Sequence, residues 1–401
     1  MFQVPPFGRA DAQWIADPDG RTGRSRLADA SGPYQSTVPP QIADWSPAVP
    51  AGLAAESEEA AAALSTFDSH ARVVLGQTNP TLGPMSSILL RTESTSSSQI
   101  EDLTVGARQL ALAELGHASS ENARTVAANV RAMESALDLA DRLDAEAVLA
   151  MHRVLLSGQR GWAEHAGRWR DQLVWIGASS VSPRGAVHVA PQAELVPAAM
   201  EDLMAFVKRG DLPIVVQTAV AHAHFENIHP FADGNGRTGR TLVQAMLRAK
   251  GLTVSTSAPV SAGLLVDTAR YFAALNAYRE GDAGPVVEEF CAAARFAAVR
   301  GSQLIDDLAA QLEGSRAQLA GLRPQASAWR VLPHLLSHPV VNGRYLTTHL
   351  GLGAQSAQNA LAQLVDAGVL VERTGQRRNR VWQHAGILAV LDEFADSLIR
   401  R

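Results

Sequence analysis

From Leu53 onward the chain repeats apolar residues at spacings of three and four, in Ala-rich stretches over 53–77, 119–141 and 145–157, which predicts amphipathic helices. The texture changes at 170–190. There short β-branched runs flank Ser182-Pro183-Arg184-Gly185, and the stretch reads as a β-hairpin, the one strand pair expected in this half of the chain. Helical spacing returns over 193–208 and 213–227. A further helix is expected from about Gly236 to Lys250, with Gly251 as its stop. Segments 266–280 and 284–320 read as helices too. Residues 1–50 carry neither period. They are rich in Pro, Gly and small polar residues, with scattered aromatics such as Trp14, Tyr34 and Trp45, and are expected to be irregular.

After an expected linker at Gly321-Leu322-Arg323-Pro324, three short helices are predicted at Ser327–His338, Tyr345–Leu350 and Gln355–Ala367. A two-stranded ribbon over Val369–Gln383 and a last helix at about 386–400 follow. This order of helices and ribbon resembles a winged-helix domain. The expected architecture is therefore mainly α: an irregular segment 1–50, a helical region 51–118, a core 119–320 with its hairpin, and a C-terminal winged helix-turn-helix module 323–401.

Composition narrows the function classes. At 401 residues, 46% of them hydrophobic, the chain can bury two or three cores. A formal net charge of −5 gives no global attraction to nucleic acid, so any such contact must be local. Cys291 is the single cysteine, which rules out an internal disulfide and a cysteine-rich zinc site and suits a reducing, cytoplasmic setting. The absence of an apolar run of eighteen residues predicts no transmembrane helix and no membrane partner, and the N-terminus lacks the pattern of a signal peptide.

The chemistry is concentrated in His229-Pro-Phe-Ala-Asp233-Gly234-Asn235-Gly236-Arg237-Thr238-Gly239-Arg240. The spacing Gly234-x-Gly236-x-x-Gly239 matches a dinucleotide fingerprint by letter. That fingerprint follows a strand, however, and a helical pattern precedes it here. A plain helix–helix turn does not need an Asp, an Asn and two Arg interleaved with three Gly, whereas an anion site does. Glycines let backbone N–H groups approach a phosphate, and the helix that starts there points its positive end at the same place. Asp233 is the candidate ligand for Mg²⁺, since one carboxylate beside phosphates is a common way to hold that ion. His222, His224 and Glu226 lack metal-motif spacing and read as structural.

The stretch 229–240 resembles the signature of the Fic family, H-x-F-x-[D/E]-G-N-G-R-x-x-R, at every specified position. His222–His229 is similar to the family's lead-in helix. Gly167-Arg-Trp169-Arg170 is similar to its approach to a substrate-binding hairpin. The resemblance covers roughly residues 34–300 and implies a Fic helical bundle with a hairpin flap. It also implies transfer of AMP from ATP to a hydroxyl of a target protein. In that reading His229 is the general base and Asp233 holds Mg²⁺. Asn235 meets the α-phosphate, and the backbone of Gly234 and Gly236, with Thr238 and Gly239 alongside, forms the anion hole. Arg237 and Arg240 neutralise the β- and γ-phosphates. Tyr271 and Asn276 are weaker candidates for the nucleoside pocket, and the target segment lies along the hairpin at 172–190.

Two further stretches bear on control. Ser98 and Glu101 form S-x-x-E, the capping box of a helix start. Ser97-x-x-x-Glu101 also resembles the inhibitory motif [S/T]-x-x-x-E-[G/N] of self-restrained Fic proteins, which implies that Glu101 pairs with Arg240. Asp102 stands where that motif has Gly or Asn. In the tail, nine Arg against five acidic residues over 323–401, with Arg373, Arg377, Arg378 and Arg380 crowded on the ribbon, make DNA a candidate partner. The rival reading is a DNA-binding regulator whose core senses nucleotide or modifies itself. A Fic enzyme that also removes AMP is a third reading, and a homo-oligomer is compatible with all of them.

Overall fold

A computed structural model of the chain describes residues 1–16, 30–75, 82–117, 120–157, 159, 161–177, 179–373 and 380–399. In chain order the elements are β1 (Gly8–Trp14), β2 (Gly32–Val38), α1 (Ala51–Leu75), α2 (Leu82–Gln99), α3 (Ala107–Glu114), α4 (Glu121–Asp138), α5 (Ala145–Leu156), β3 (Trp175–Ile176), β4 (His188–Val189), α6 (Val196–Lys208), α7 (Ile214–Ile228), α8 (Asn235–Ala249), α9 (Val260–Leu265), α10 (Thr268–Arg279) and α11 (Gly284–Gln318). Then come α12 (Ala328–Val331), β5 (Val340–Val341), α13 (Gly343–Thr348), α14 (Ala354–Asp366), β6 (Val371–Glu372), β7 (Trp382–Gln383) and α15 (Ala385–Ile399). The fold is mainly α, as expected. Among the described residues no helix is long and apolar enough to cross a membrane.

The chain forms two compact units. The first comprises Met1–Glu58, Ser135–Ala249 and Ala269–Cys291. Its centre is α7, buried along nearly its whole length, with α6 and α8 packed against it and α5 against α8. A helix buried on nearly all sides belongs at the middle of a bundle, which is where α7 lies.

Two expectations change in this unit. Residues 1–50 are not irregular throughout, because β1 and β2 pair antiparallel from Gly8↔Val38 to Trp14↔Gly32. Before β1, Phe2 and Phe7 are buried, and the N–H groups of Val4 and Phe7 donate to Gly281 and Arg279 carbonyls at 3.1 and 3.0 Å. Gly-Arg-Ala-Asp-Ala-Gln-Trp has no β-branched residue, so nothing local marks it as a strand, and the ladder rests on its partner. The hairpin at 172–190 is therefore not the only strand pair here. It also pairs over just two residues of each strand, Trp175↔Val189 and Ile176↔His188.

The second unit comprises Glu59–Glu134, Lys250–Thr268 and Ala292–Arg401. The tail thus shares a compact unit with α2 and α3. The helix expected over 327–338 gives way after Val331 to a 3₁₀ turn, Leu332–Leu335, where Pro333 removes a donor. In the tail, β5, β7 and β6 form a three-stranded sheet in that order. Residues 374–379, and with them Arg377 and Arg378, lie outside the described residues.

Helix α2 carries the largest departure from expectation in this unit. Ser98 and Glu101 do not open a helix, since α2 ends at Gln99 and the next helix starts at Ala107. The capping-box reading is therefore replaced by a helix end. Six Ser or Thr within Thr92–Ser98 speak against a helix by propensity. Tertiary contacts override that. Thr92 Oγ1 and Ser98 Oγ donate to the carbonyls four residues back at 3.0 and 2.8 Å. Asn129 Nδ2 donates to Ser94 O and Ser98 Oγ, and the buried Glu93 carboxylate accepts from Ser261 N–H at 2.9 Å at the start of α9.

Past the end of α2, Asp102 adopts φ 61°, a left-handed residue beyond a helix terminus. The N–H of Leu103 turns back to Ser98 O at 3.1 Å. Glycine suits this conformation best because it has no Cβ to clash. Asp102→Gly is expected to raise the unfolding free energy by about 0.5–1 kcal/mol. A urea midpoint unchanged or lowered in the variant would contradict that.

Candidate active site

The site is built where α7 ends and α8 begins, entirely within the first unit. His229 is the C-cap of α7, with φ 51° and ψ 61°, and its N–H donates to Phe225 O at 2.9 Å. A left-handed non-glycine residue is uncommon, and histidine is among the side chains that tolerate it. This backbone turn swings the imidazole off the helix axis. Its Nδ1 lies 3.3 Å from Glu226 O. A carbonyl can only accept, so Nδ1 carries the proton and the neutral ring has its lone pair on Nε2.

Phe231 plugs the loop that follows. It is fully buried, stacked on one side by His152 (ring centroids 3.6 Å, planes 9° apart) and on the other by Trp169 at 5.1 Å. Asn235 closes the loop: its Oδ1 accepts from Phe231 N–H and its Nδ2 donates to Phe231 O, both at 2.8 Å. The side chain expected on a phosphate thus also ties the loop to the helix start.

Gly234, at φ 77°, turns the chain into α8, and its carbonyl accepts the Thr238 N–H at 3.0 Å. The first-turn N–H groups of α8, around Gly236, point back along the axis toward the loop and make a positive end. Asp233 lies beside them with its carboxylate partly exposed, and its Oδ2 is 3.2 Å from Nη2 of the buried Arg237. Arg240 is buried one turn on, and burial of His222, with the Arg240 charge added, holds the His222 pKa down to about 3. Gly239 is where α8 crosses α7. A Cβ there would meet Glu226 Oε1 at 2.6 Å and Phe225 Cδ1 at 2.9 Å. Its place is therefore one of packing as well as of sequence signature.

Three residues outside the stretch 229–240 hold this arrangement. His152, on α5, accepts from Gly167 N–H at 3.0 Å on Nδ1, so Nε2 carries the proton and donates to Asp233 O at 3.0 Å. Burial pushes its pKa down to about 4, which keeps the ring neutral in that role. Arg170 is buried. Its Nε donates to His229 O at 2.8 Å, Nη1 to Gln172 O at 2.9 Å and Nη2 to Pro191 O at 2.6 Å. Burial draws its pKa to about 10, still charged at neutral pH. His188, on β4, donates from Nε2 to Asn227 O at 3.1 Å, and its ring centroid lies 6.4 Å from that of His229. Arg170 and His188 thus fasten both legs of the hairpin to the end of α7. Only Gly167-Arg-Trp-Arg170 carried any sequence signal for this group.

The hairpin is braced from outside by the N-terminal strands. Trp14 packs edge-on against Trp175 at 5.2 Å, Trp14 Nε1 donates to Val181 O at 2.9 Å, and Thr37 Oγ1 donates to Val189 O at 2.9 Å. Ile176 and Val187 remain exposed on it, at 49% and 68%.

Tyr271 is fully buried with its hydroxyl 2.7 Å from His222 Nε2, a core contact, and Asn276 is half-buried on α10. Ser97 and Glu101 belong to the second unit, Ser97 buried within α2 and Glu101 half-buried just past its end. Of the ribbon arginines, Arg380 is paired with Glu372 and Arg373 donates its N–H to Val381 O at 3.1 Å.

Among the described residues no group of three or more His, Cys, Asp or Glu could hold a metal ion. Asp233 is a lone carboxylate, so the donor set fits a hard cation only where phosphate oxygens and water complete it, as Mg²⁺ accepts.

Part of the chain is similar to known proteins. Residues 142–247 match the model of the Fic/DOC family. A protein adenylyltransferase, fic-1, of Caenorhabditis elegans is 33% identical over 152 residues, which are 37% of this chain and 26% of that protein. A probable protein adenylyltransferase of Aquifex aeolicus (strain VF5) is 36% identical over 69 residues, 17% of this chain and 22% of that protein. The chain thus spans about a quarter of the length of the relatives it matches. A Fic family protein from Desulfovibrio desulfuricans G20 has a crystal structure that superposes with a TM-score of 0.46 at 22% identity, covering 81% of this chain and 96% of that one. The span 142–247 takes in α5, the hairpin, the plugged loop and most of α8, so this part of the chain is a Fic domain.

Proposed function

We propose that the chain is a protein adenylyltransferase that moves AMP from ATP to a hydroxyl of a target protein. The observation that supports this most is His229 at the C-cap of α7 with the positive end of α8 starting six residues on, a candidate base and an anion grip on one loop. The hydroxyl proton passes to His229 Nε2 as its oxygen forms a bond to the α-phosphorus. The bond from that phosphorus to the bridging oxygen breaks, and pyrophosphate leaves with the pair of electrons. An imidazole suits the base role at neutral pH. The α8 backbone donors hold the charge that builds on the phosphates, with Arg237 and Arg240 behind them. Asp233 is the residue to hold Mg²⁺, which supplies charge neutralisation between phosphates when bound. The target segment adds along the hairpin, where Ile176 and Val187 offer apolar surface.

Labelled ATP tests the reaction class. Label in the α-position is expected to appear on protein and label in the γ-position is not. Transfer of the γ-label would replace this reading with phosphoryl transfer.

We further propose that Glu101 restrains the enzyme by pairing with Arg240, on the strength of the Ser97-x-x-x-Glu101 resemblance. A carboxylate there takes the guanidinium from the γ-phosphate and repels the nucleotide's charge. Glu101→Gly is expected to raise α-label incorporation by roughly tenfold, equivalent to ~1.4 kcal/mol. Equal incorporation by the variant and the natural chain would remove the brake from this account.

A further inference from the structure

The second unit holds a polar cavity of about 450 Å³ that the reaction above does not use. Its walls include His117 after α3, Asn342 and Arg344 at the start of α13, Gln358 on α14, and Arg380 and Trp382 at β7. The volume lies within the range of roughly 300–1,000 Å³ typical of small-molecule sites. The described lining has two guanidinium groups, two side-chain amides and an imidazole, and no Asp or Glu. Donors gathered in a concavity without an acidic residue in its wall select an anion.

The walls are held in place. Asn342 Oδ1 accepts the Tyr345 N–H at 2.7 Å, which turns its Nδ2 toward His117 Nε2, 3.4 Å away. Arg380 lies over the Trp382 ring, 4.9 Å from its centroid, and pairs with Glu372 from outside the cavity wall, Nε to Oε1 at 2.8 Å. That pair fixes the plane of the guanidinium and balances its charge. The net positive charge of the cavity therefore comes from Arg344, which is exposed.

We propose that this cavity binds a small organic phosphate of mononucleotide size. Arg344, with Arg380 beside it, takes the phosphate by charge-assisted hydrogen bonds. The amides of Asn342 and Gln358 can each donate and accept, which suits the hydroxyls and ring edges of such a ligand. The concavity favours a free ligand over a nucleic-acid duplex, whose grooves are entered by protruding helices or ribbons.

Equilibrium dialysis of the full chain against radiolabelled AMP tests this, using the natural chain and the Arg344→Gln, Gln358→Ala and Arg240→Gln variants. Arg344 and Gln358 are both exposed, so the first two substitutions leave the core untouched, which circular dichroism checks. Two AMP sites are expected. Arg344→Gln weakens one by about tenfold or more, the loss expected for a hydrogen bond to a charged group, and Gln358→Ala weakens the same site by less. Arg240→Gln weakens only the other, so failure of the proposed transferase reading would leave the Arg344-dependent site standing. AMP binding that is indifferent to Arg344→Gln overturns the proposal. So does binding of a DNA duplex that depends on Arg344 and that AMP does not displace.

Discussion

His229→Ala is expected to slow AMP transfer by about 10²–10⁴-fold, the range for loss of a positioned general base, while ATP binding changes little. In the proposed reaction the imidazole reaches the hydroxyl from a helix cap, whereas the phosphate grip comes from the next element, α8. Removing the ring therefore takes out the base and leaves the grip. Alanine has a second effect here, because φ 51° is costly for a residue whose side chain cannot bond locally to its own backbone. His229→Asn separates the two. Asparagine tolerates the left-handed region but cannot act as a base at neutral pH. Both variants should lose transfer to a similar degree, and the alanine variant alone should also lose about 1 kcal/mol of stability. Transfer at the natural rate by either variant, followed with α-labelled ATP, would remove His229 from the mechanism.

The parts of this site that could be read from sequence are those whose chemistry is local. His229 to Arg240 is one loop and one helix start, so residue type and spacing already contain the proposed base, the turn glycines and the positive helix end. The residues that make it rigid are distant in sequence. His152 meets Asp233 across 81 positions and Arg170 meets His229 across 59, and a lone histidine in an Ala-rich helix carries no mark of such a partner. Asn235 shows the converse. Its place in the signature was plain, but its two bonds to the Phe231 backbone depend on a loop shape that spacing does not encode.

The same distinction governs the fold. The long Ala-rich helices follow from periodicity because their apolar stripes are complete in themselves. Helix α2 does not, because its serines and threonines are helical only through bonds to carbonyls one turn back and to Asn129. The N-terminal strands escaped for a similar reason. Alternation of small and polar residues is a weak strand signal, and the register of β1 is set by pairing with the later strand, from Gly8↔Val38 to Trp14↔Gly32.

Arg170→Met is expected to cost about 3–5 kcal/mol of stability, the largest loss among substitutions near the site. Methionine keeps most of the side chain's length and apolar contact, so the loss isolates the guanidinium. Three carbonyls, those of His229, Gln172 and Pro191, take hydrogen bonds from it inside 3 Å. Each left without a donor costs roughly 1–3 kcal/mol where water cannot reach it. Arg170→Lys keeps the charge but not the planar fork, so one ammonium has to serve acceptors that lie on different sides, and an intermediate loss is expected. The consequences should be unequal along the chain. His229 O and Pro191 O belong to the end of α7 and to the far leg of the hairpin, so Arg170→Met frees both the proposed base and the strand proposed to bind the target. Urea denaturation should show the fall in midpoint, and limited proteolysis should open first within 172–190. A variant within about 1 kcal/mol of the natural chain, with an uncut hairpin, would mean that water or a rearranged backbone serves these carbonyls. The two legs of the hairpin would then be held by His188 and the N-terminal strands instead.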